Sequence, residues 1–445
     1  MLPFLTLPPL RVKPQQSVRP PSSKSISNRV LLMAALSSES CHFFHLLQSE
    51  DTKAMLSALK TLGIPCQQLG EEEFIVKGQG GIFPVKEAEL FLHNAGTAFR
   101  SLCATLALQQ GHYILKGSHR MHERPIAPLA LALQSLGANI DYLAKEGYPP
   151  LAIHPFSDKG IQEIHITGSV SSQFISALLI VLPLLHRPIL LTIEGKLISA
   201  PYVYLTLSLL KTFGIKLVKK NNQQFFSPGD QCYQAPLSYQ VESDASSASY
   251  FFAAAFLSNT SITVLGVDEK SEQGDWAFAD ILSALGGKLT KTPSAYTFSR
   301  NTPGKIAPFT LDVTAIPDAA MGLCIIALLG NGTSRIEGIS SWRVKETDRI
   351  AAMATELKKL GVKVKKGDDF IEITPPKQLV SGARIATYDD HRIAMCFSLV
   401  ALLGVSITIE DPNCVRKTFP NFFQVLASIT EPQATTNPAS CYNKL

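Results

Sequence analysis

The chain has 445 residues, 46% of them hydrophobic and only 17% charged, with a formal net charge of +5. That length exceeds one ordinary core and points to two domains or a large repeat assembly, and the composition is globular. The mild charge argues against a nucleic-acid binder with a basic stripe, but it suits cations gathered in one cleft around a small acidic substrate.

From the N-terminus, Met1 to Arg11 lacks a charged start and has prolines among its leucines, so no secretory signal is expected. The first helix is expected at Ser22-Ser23-Lys24-Ser25-Ile26-Ser27-Asn28-Arg29. Ser25 and Arg29 stand at i and i+4 with Lys24 at the tip, so a phosphate there would meet backbone N–H groups, a hydroxyl, an ammonium and a guanidinium fork. Asn94-Ala95-Gly96-Thr97-Ala98-Phe99-Arg100 opens another helix, with Thr97 as its expected cap and Gly96 permitting close approach of a ligand. The loop Met121-His122-Glu123-Arg124-Pro125 adds Arg124 before a proline suited to start a helix. Ser169-Val170-Ser171-Ser172-Gln173 offers hydroxyls and an amide without charge, as a polyol or its phosphate would require, and Ser199 and Tyr202 follow. The apolar run Ile175 to Leu185 falls short of the roughly 20 residues of a membrane span, so no membrane partner is expected.

The C-terminal half carries the ionisable groups. Asp318 tips an apolar helix in Ile316-Pro317-Asp318-Ala319-Ala320-Met321; it is the best candidate base, and a plain N-cap is its alternative. Trp342 to Arg349 is expected to start a helix that places Lys345 and Arg349 at i and i+4, beside Glu346, with Ile350, Met353, Ala354, Leu357 and Leu360 as its apolar face. Asp389-Asp390-His391-Arg392 and Arg416-Lys417-Thr418-Phe419 complete the set, and a polar tail is expected from about Glu431.

Two features recur in phase. A helix ending in Leu-Gly or Phe-Gly closes at Gly63, Gly137, Gly214, Gly286 and Gly361, at intervals of 72 to 77 residues. Polar clusters that open helices recur near Lys24, Asn94, Ser171, Asp244, Asp318 and Asp390, at intervals of 70 to 77 residues. Six units of about 74 residues, each of βαβαββ type, therefore account for almost the whole chain. Helix caps alone would explain the serines, asparagines and aspartates. They leave unexplained why Lys24, Arg29, Arg100, His391 and Arg392 crowd these N-terminal turns, where the helix dipole repels cations unless an anion lies between them.

The eight cysteines are scattered without a C-x-x-C pair, which indicates free thiols in a reducing cytoplasm and no zinc site. No Walker loop, strand-linked G-x-G-x-x-G, HExxH or G-x-S-x-G occurs, so no cofactor, nucleotide or metal is expected.

Taken together, S-K-S-I-S-N-R, N-A-G-T-A-F-R, S-V-S-S-Q-F, D-A-S-S-A-S-Y, P-D-A-A-M, W-R-V-K-E-T-D-R, D-D-H-R-I-A-M and K-T-F-P occur in the order of the EPSP synthase family of enolpyruvyl transferases, which the chain resembles from about residue 5 to 428. The resemblance implies a two-domain inside-out α/β barrel with three repeats per domain. The N-terminal domain would span 23–241, the C-terminal domain 1–22 plus 242–430, and a flexible tail 431–445. It also implies a cytoplasmic, monomeric enzyme that joins phosphoenolpyruvate to the 5-hydroxyl of shikimate 3-phosphate in chorismate biosynthesis. Under it, Lys24, Ser25, Arg29, Ser171, Ser172, Gln173, Ser199, Tyr202, Asp318, Ser341 and Lys345 would bind shikimate 3-phosphate. Lys24, Asn94, Gly96, Arg124, Gln173, Arg349, His391, Arg392 and Lys417 would bind phosphoenolpyruvate. Asp318 and Glu346 would serve as base and acid with Lys24 beside them, and Gly96 would leave room for the herbicide glyphosate.

Three positions depart from the family pattern: Ser22 replaces a glycine at the hinge, Phe99 a methionine, and Ser341 an asparagine. The sister enzyme that uses UDP-N-acetylglucosamine carries a reactive cysteine in the loop matching Ser118 to Arg124, and that loop has none here. A non-catalytic anion binder is the other alternative, but it would gain nothing from two carboxylates in the cleft.

Overall fold

The structure is a computed structural model and describes residues 3–433. Its strands are short and alternate buried with exposed positions, as in Ser40–Phe44, where Cys41 and Phe43 are buried and Ser40 and Phe44 exposed, so each sheet buries one face. Five four-stranded sheets share one pairing pattern. In one of them Glu87–Phe91 runs parallel to His112–Lys116, which pairs antiparallel with Leu151–His154, and that strand in turn with Asn139–Tyr142. A sixth sheet has the same parallel-then-antiparallel order in three strands, Ala383–Ile385, Ile407–Glu410 and Phe4–Leu7.

The helices between the parallel strands lie inside. All thirteen residues of Ala245–Leu257 are buried, as are Ile26 to Leu36 of Lys24–Leu36. A helix apolar all round has no solvated face to offer and must sit in a core. Phe251, Phe252 and Phe256 are each nearly inaccessible, and burying each contributes roughly 2–3 kcal/mol. Two separate cores result. One gathers apolar residues between Ile26 and Val241, the other those of Leu10 to Val18 with Ala245 to Ile429.

The strand Gln16–Val18 pairs with Ser261–Leu265 of the second core, and Ser238–Gln240 pairs with Ser40–Phe44 of the first. The chain thus passes twice between the cores. The two passages run side by side: Ser22 bridges Ser243, the Ser23 N–H donates to the Glu242 carbonyl, and the Asp244 N–H to the Pro21 carbonyl, both at 2.8 Å. Ser22 therefore sits in a paired segment rather than in a free turn.

Gly63, Gly137, Gly214, Gly286 and Gly361 all take φ between 80° and 117°, the left-handed conformation that closes a helix. Glu431 differs from expectation. Thr430–Pro432 forms a strand against Leu10–Val12, because the N-terminal segment leaves an unpaired edge there. The rest of the expected tail, 434–445, lies outside the described residues. Among the described residues no helix is long and apolar enough to cross a membrane, and seven cysteines are free thiols.

Candidate active site

Helix starts and turns from both cores converge on one cleft. Lys24 begins the helix Lys24–Leu36, whose cap Ser23 accepts from the Ile26 N–H. Its ammonium lies 3.4 Å from Asp51, which also takes Lys417 at 2.7 Å. Lys417 donates in addition to the Asn94 carbonyl at 2.8 Å, and Arg124 donates to the Asn94 side-chain oxygen at 2.9 Å. Arg29 is paired with no carboxylate among the described residues. It donates to Thr206, the Ser25 carbonyl and Ser176, and burial brings its pKa down to about 10. Burial and the neighbouring Arg124 push Arg100 well below the ordinary arginine range. These two guanidiniums and Arg124 are the cations best placed to gain from an incoming anion.

Across the cleft, Asp318 meets Arg349 at 2.9 Å, Arg392 at 3.2 Å and Lys345 at 3.4 Å. Arg349 also holds Glu346 at 2.9 Å and Asp390 at 2.8 Å. Burial alone would raise the Asp318 carboxyl, but Arg392, Lys345 and Arg349 outweigh it and hold the group well below the usual carboxylate range. Glu346 follows the same logic: burial pushes it up, while Arg349, Arg124, Lys24 and Lys417 hold it well below. The Trp342 indole N–H donates to the Pro317 carbonyl at 2.6 Å and fixes the turn that carries Asp318.

Two adjoining pockets lie between these walls. The first is lined by Arg100, Ser171, Ser199 and Ser341 among others, the second by Lys24, Ser25, Arg29, Tyr202, Asp318 and Glu346. Arg124, Ser172, Gln173 and Lys345 line both. The walls are drawn together. Arg120, from the first half of the chain, donates to the Lys345 carbonyl at 2.9 Å and to the Glu346 carbonyl at 3.1 Å, and the Ser199 N–H donates to the Thr314 carbonyl at 3.2 Å.

Most of the residues expected from the sequence come together here, with local corrections. Thr97 does not cap its helix: Gly96 is already the first helical residue, Ala95 is the cap, and the Thr97 side chain lines the second cavity instead. Lys345 and Arg349 do not share a helix face. Lys345 is extended at φ −83°, ψ −154°, and the helix starts at Arg349 behind the cap Asp348. Both cations reach Asp318 from different backbone geometries. Asp318 is not an N-cap, since it lies in a turn ahead of Met321–Ile326, whose cap is Ala320. His391 lines neither pocket; it is fully buried, and neither ring nitrogen has a hydrogen-bond partner among the described residues. Asn94, Arg349, Arg392 and Lys417 stand behind the cavity walls, paired as described. A Cβ at Gly96 would lie 2.7 Å from the Arg124 guanidinium.

Sequence reasoning missed Asp51, Asp275 and Arg120. Asp51 sits in the first turn of Glu50–Thr61 behind a Ser49–Thr52 capping box, where an acid is ordinary helix chemistry. Asp275 lies in a short 3₁₀ turn without any sequence pattern, and Arg120 sits in a short helix, with its carbonyl partners more than 200 residues away.

The family model for EPSP synthase (3-phosphoshikimate 1-carboxyvinyltransferase) matches residues 11–426. The 3-phosphoshikimate 1-carboxyvinyltransferase of Thiobacillus denitrificans is 49% identical over 426 residues, covering 96% of this chain and 99% of that protein. The enzyme of that name from Neisseria meningitidis serogroup C is 51% identical over 425 residues, with 96% and 98% covered. Among solved structures, an EPSP synthase of Acinetobacter baumannii superimposes with a TM-score of 0.79 at 25% identity, covering 96% of this chain and 99% of that one. An enolpyruvyl transferase of Streptomyces tendae reaches 0.74 at 15% identity, which speaks for the fold alone.

Proposed function

The chain belongs to the EPSP synthase family and transfers the enolpyruvyl group of phosphoenolpyruvate to the 5-hydroxyl of shikimate 3-phosphate, releasing phosphate, and we propose that the cleft between its two cores is where it does so. The single observation that carries this assignment is Asp318, held by Arg349, Arg392 and Lys345, lining one pocket together with Lys24, Arg29, Arg124 and Glu346.

In this reading the first cavity takes the 3-phosphate, through Ser171, Ser172, Gln173, Ser199 and the charge of Lys345. The ring lies over Tyr202, Ser25 and Arg29, near Ser341. Phosphoenolpyruvate brings its carboxylate and phosphate to Lys24, Arg124, Arg349, Arg392 and Lys417, beside Asn94 and the bare backbone of Gly96, while His391 supports that wall from behind. Asp318 takes the proton of the 5-hydroxyl as its oxygen attacks C2. Glu346 delivers a proton to C3, and the cations stabilise the departing phosphate. An ionised Glu346 cannot donate a proton. Bound phosphoenolpyruvate would satisfy Arg124, Arg349, Lys24 and Lys417, remove the field that holds Glu346 down, and let burial raise it into the range of a proton donor. The substrate thus prepares its own acid.

Residues 23–241 and 1–22 plus 242–430 act as two domains, each of three repeats in an inside-out barrel. They move about the paired passages at Ser22 and Ser243, and closure dries the cleft. The enzyme works as a cytoplasmic monomer. The test is to replace Lys24 and Arg349 singly by glutamine and follow phosphate release. Each change should cost at least about a hundredfold in kcat/KM, the scale of a lost charge-assisted contact of several kcal/mol. Retention of the wild-type rate by both variants would place the chemistry elsewhere.

A further inference from the structure

Asp275 lies behind the catalytic turn, wholly buried, and has no direct part in the chemistry proposed so far. Its Oδ2 accepts from the Tyr202 hydroxyl at 3.2 Å, and the same hydroxyl stands 3.3 Å from Oδ2 of Asp318. Ser246 donates to the same Asp275 oxygen, while Oδ1 of Asp275 is buried without a hydrogen-bond partner among the described residues. A phenol has one proton and cannot donate fully to two carboxylates. The trio is complete only when one further proton sits on one of the acids, so the arrangement has a place for a proton that comes and goes.

The two ends of this chain differ in their surroundings. Asp318 is ringed by Arg349, Arg392 and Lys345 and holds a proton poorly. Asp275 is in no ion pair with a cation among the described residues, and its contacts are hydroxyls. We propose that Asp275 is the proton store behind Asp318, reached through the hydroxyl of Tyr202. The step rests on the reading of Asp318 as base. The O5–H bond breaks and the proton bonds to Asp318. Asp318 then passes a proton to the Tyr202 oxygen as the Tyr202 proton passes to Oδ2 of Asp275. Asp318 returns to carboxylate, Tyr202 stays neutral, and Asp275 becomes a neutral acid until the proton leaves by the reverse path with the departing phosphate. The ionisable groups that act on Asp275 are Asp318, Asp244, Arg392 and Tyr202. Burial, followed by the Asp318 charge, pushes its carboxyl up to about 6, against the opposing pull of the Ser246 hydroxyl and Arg392. At neutral pH the store is therefore mostly empty and ready.

The experiment compares kcat and KM for phosphate release between about pH 5 and pH 9 in the wild type, Asp275→Asn, Tyr202→Phe, the double variant and Asp318→Asn. Asp275→Asn keeps the shape but cannot take a proton. It should lower kcat at pH 7 about tenfold, leave KM for shikimate 3-phosphate within about twofold, and abolish the rise of kcat through about pH 6. The double variant should be no worse than Asp275→Asn, because both changes cut one path, and Asp275→Glu should restore part of kcat. An Asp275→Asn enzyme whose pH profile keeps the wild-type shape, at full or uniformly reduced rate, overturns the store. An active Asp318→Asn removes the base and the store together, whereas a dead Asp318→Asn beside an unaffected Asp275→Asn removes the store alone. If Asp275→Asn fails to fold by thermal melting, Tyr202→Phe carries the same test.

Discussion

Replacing Gly96 by alanine sets a methyl group against the most exposed dependency of the phosphoenolpyruvate wall. The new Cβ would lie 2.7 Å from one Arg124 nitrogen and 3.0 Å from its central carbon, so the guanidinium has to give way. Reaching ordinary contact at about 3.4 Å means a shift of about 0.7 Å for a group that also donates to Asn94. For a cation facing a substrate anion at about 2.9 Å, moving to about 3.6 Å costs about 1 kcal/mol at an effective dielectric near 20. We therefore predict a roughly five- to tenfold rise in KM for phosphoenolpyruvate, with KM for shikimate 3-phosphate nearly unchanged. If glyphosate uses the same space, its inhibition constant should rise at least as much. Steady-state kinetics with each substrate varied in turn decides the matter. A wild-type KM together with unchanged glyphosate sensitivity would refute the steric argument.

Three more expectations follow from the same geometry. Asp318→Asn should lower kcat by at least about a hundredfold while shikimate 3-phosphate still binds in calorimetry; a loss confined to affinity would make Asp318 a ligand and not a base. Trp342→Phe strands the Pro317 carbonyl in a dry site, so it should cost about 1–3 kcal/mol by denaturant unfolding and lower kcat through the loosened Asp318 turn. Glu242, at the paired passages, has a buried oxygen without a hydrogen-bond partner among the described residues, and burial pushes its carboxyl up to about 7 despite Ser271 and Gln273. Because its folded pKa lies above the unfolded one, the stability it contributes is full below about pH 4.5 and is lost as pH rises through about 7, up to about 3 kcal/mol. Glu242→Gln should flatten that loss. Melting at pH 6 and pH 8 measures it, and equal slopes in variant and wild type would contradict it.

Most of the candidate site was legible because its parts lie at helix starts, where serines, lysines and arginines sit in recognisable clusters. The glycines at 63, 137, 214, 286 and 361 marked helix ends for the same reason, since their backbone demands a left-handed residue. Residues whose task depends on partners distant in sequence were not legible. Asp51 meets Lys417 across 366 positions, and Arg120 meets the Glu346 carbonyl across 226. Periodicity also failed at Lys345. The apolar stripe from Ile350 onward is a genuine helix signal, but nothing in it reveals that the chain is extended at Lys345. The cations at helix starts were read as needing an external anion. Lys24 and Arg392 have protein carboxylates as partners, so the inference holds in its strict form for Arg29 and Arg100.

The most direct test of the whole account is phosphate release by the purified protein from phosphoenolpyruvate with and without an acceptor. Release should appear with shikimate 3-phosphate and be absent without it. Equal release with UDP-N-acetylglucosamine, or no release with either acceptor, would contradict it.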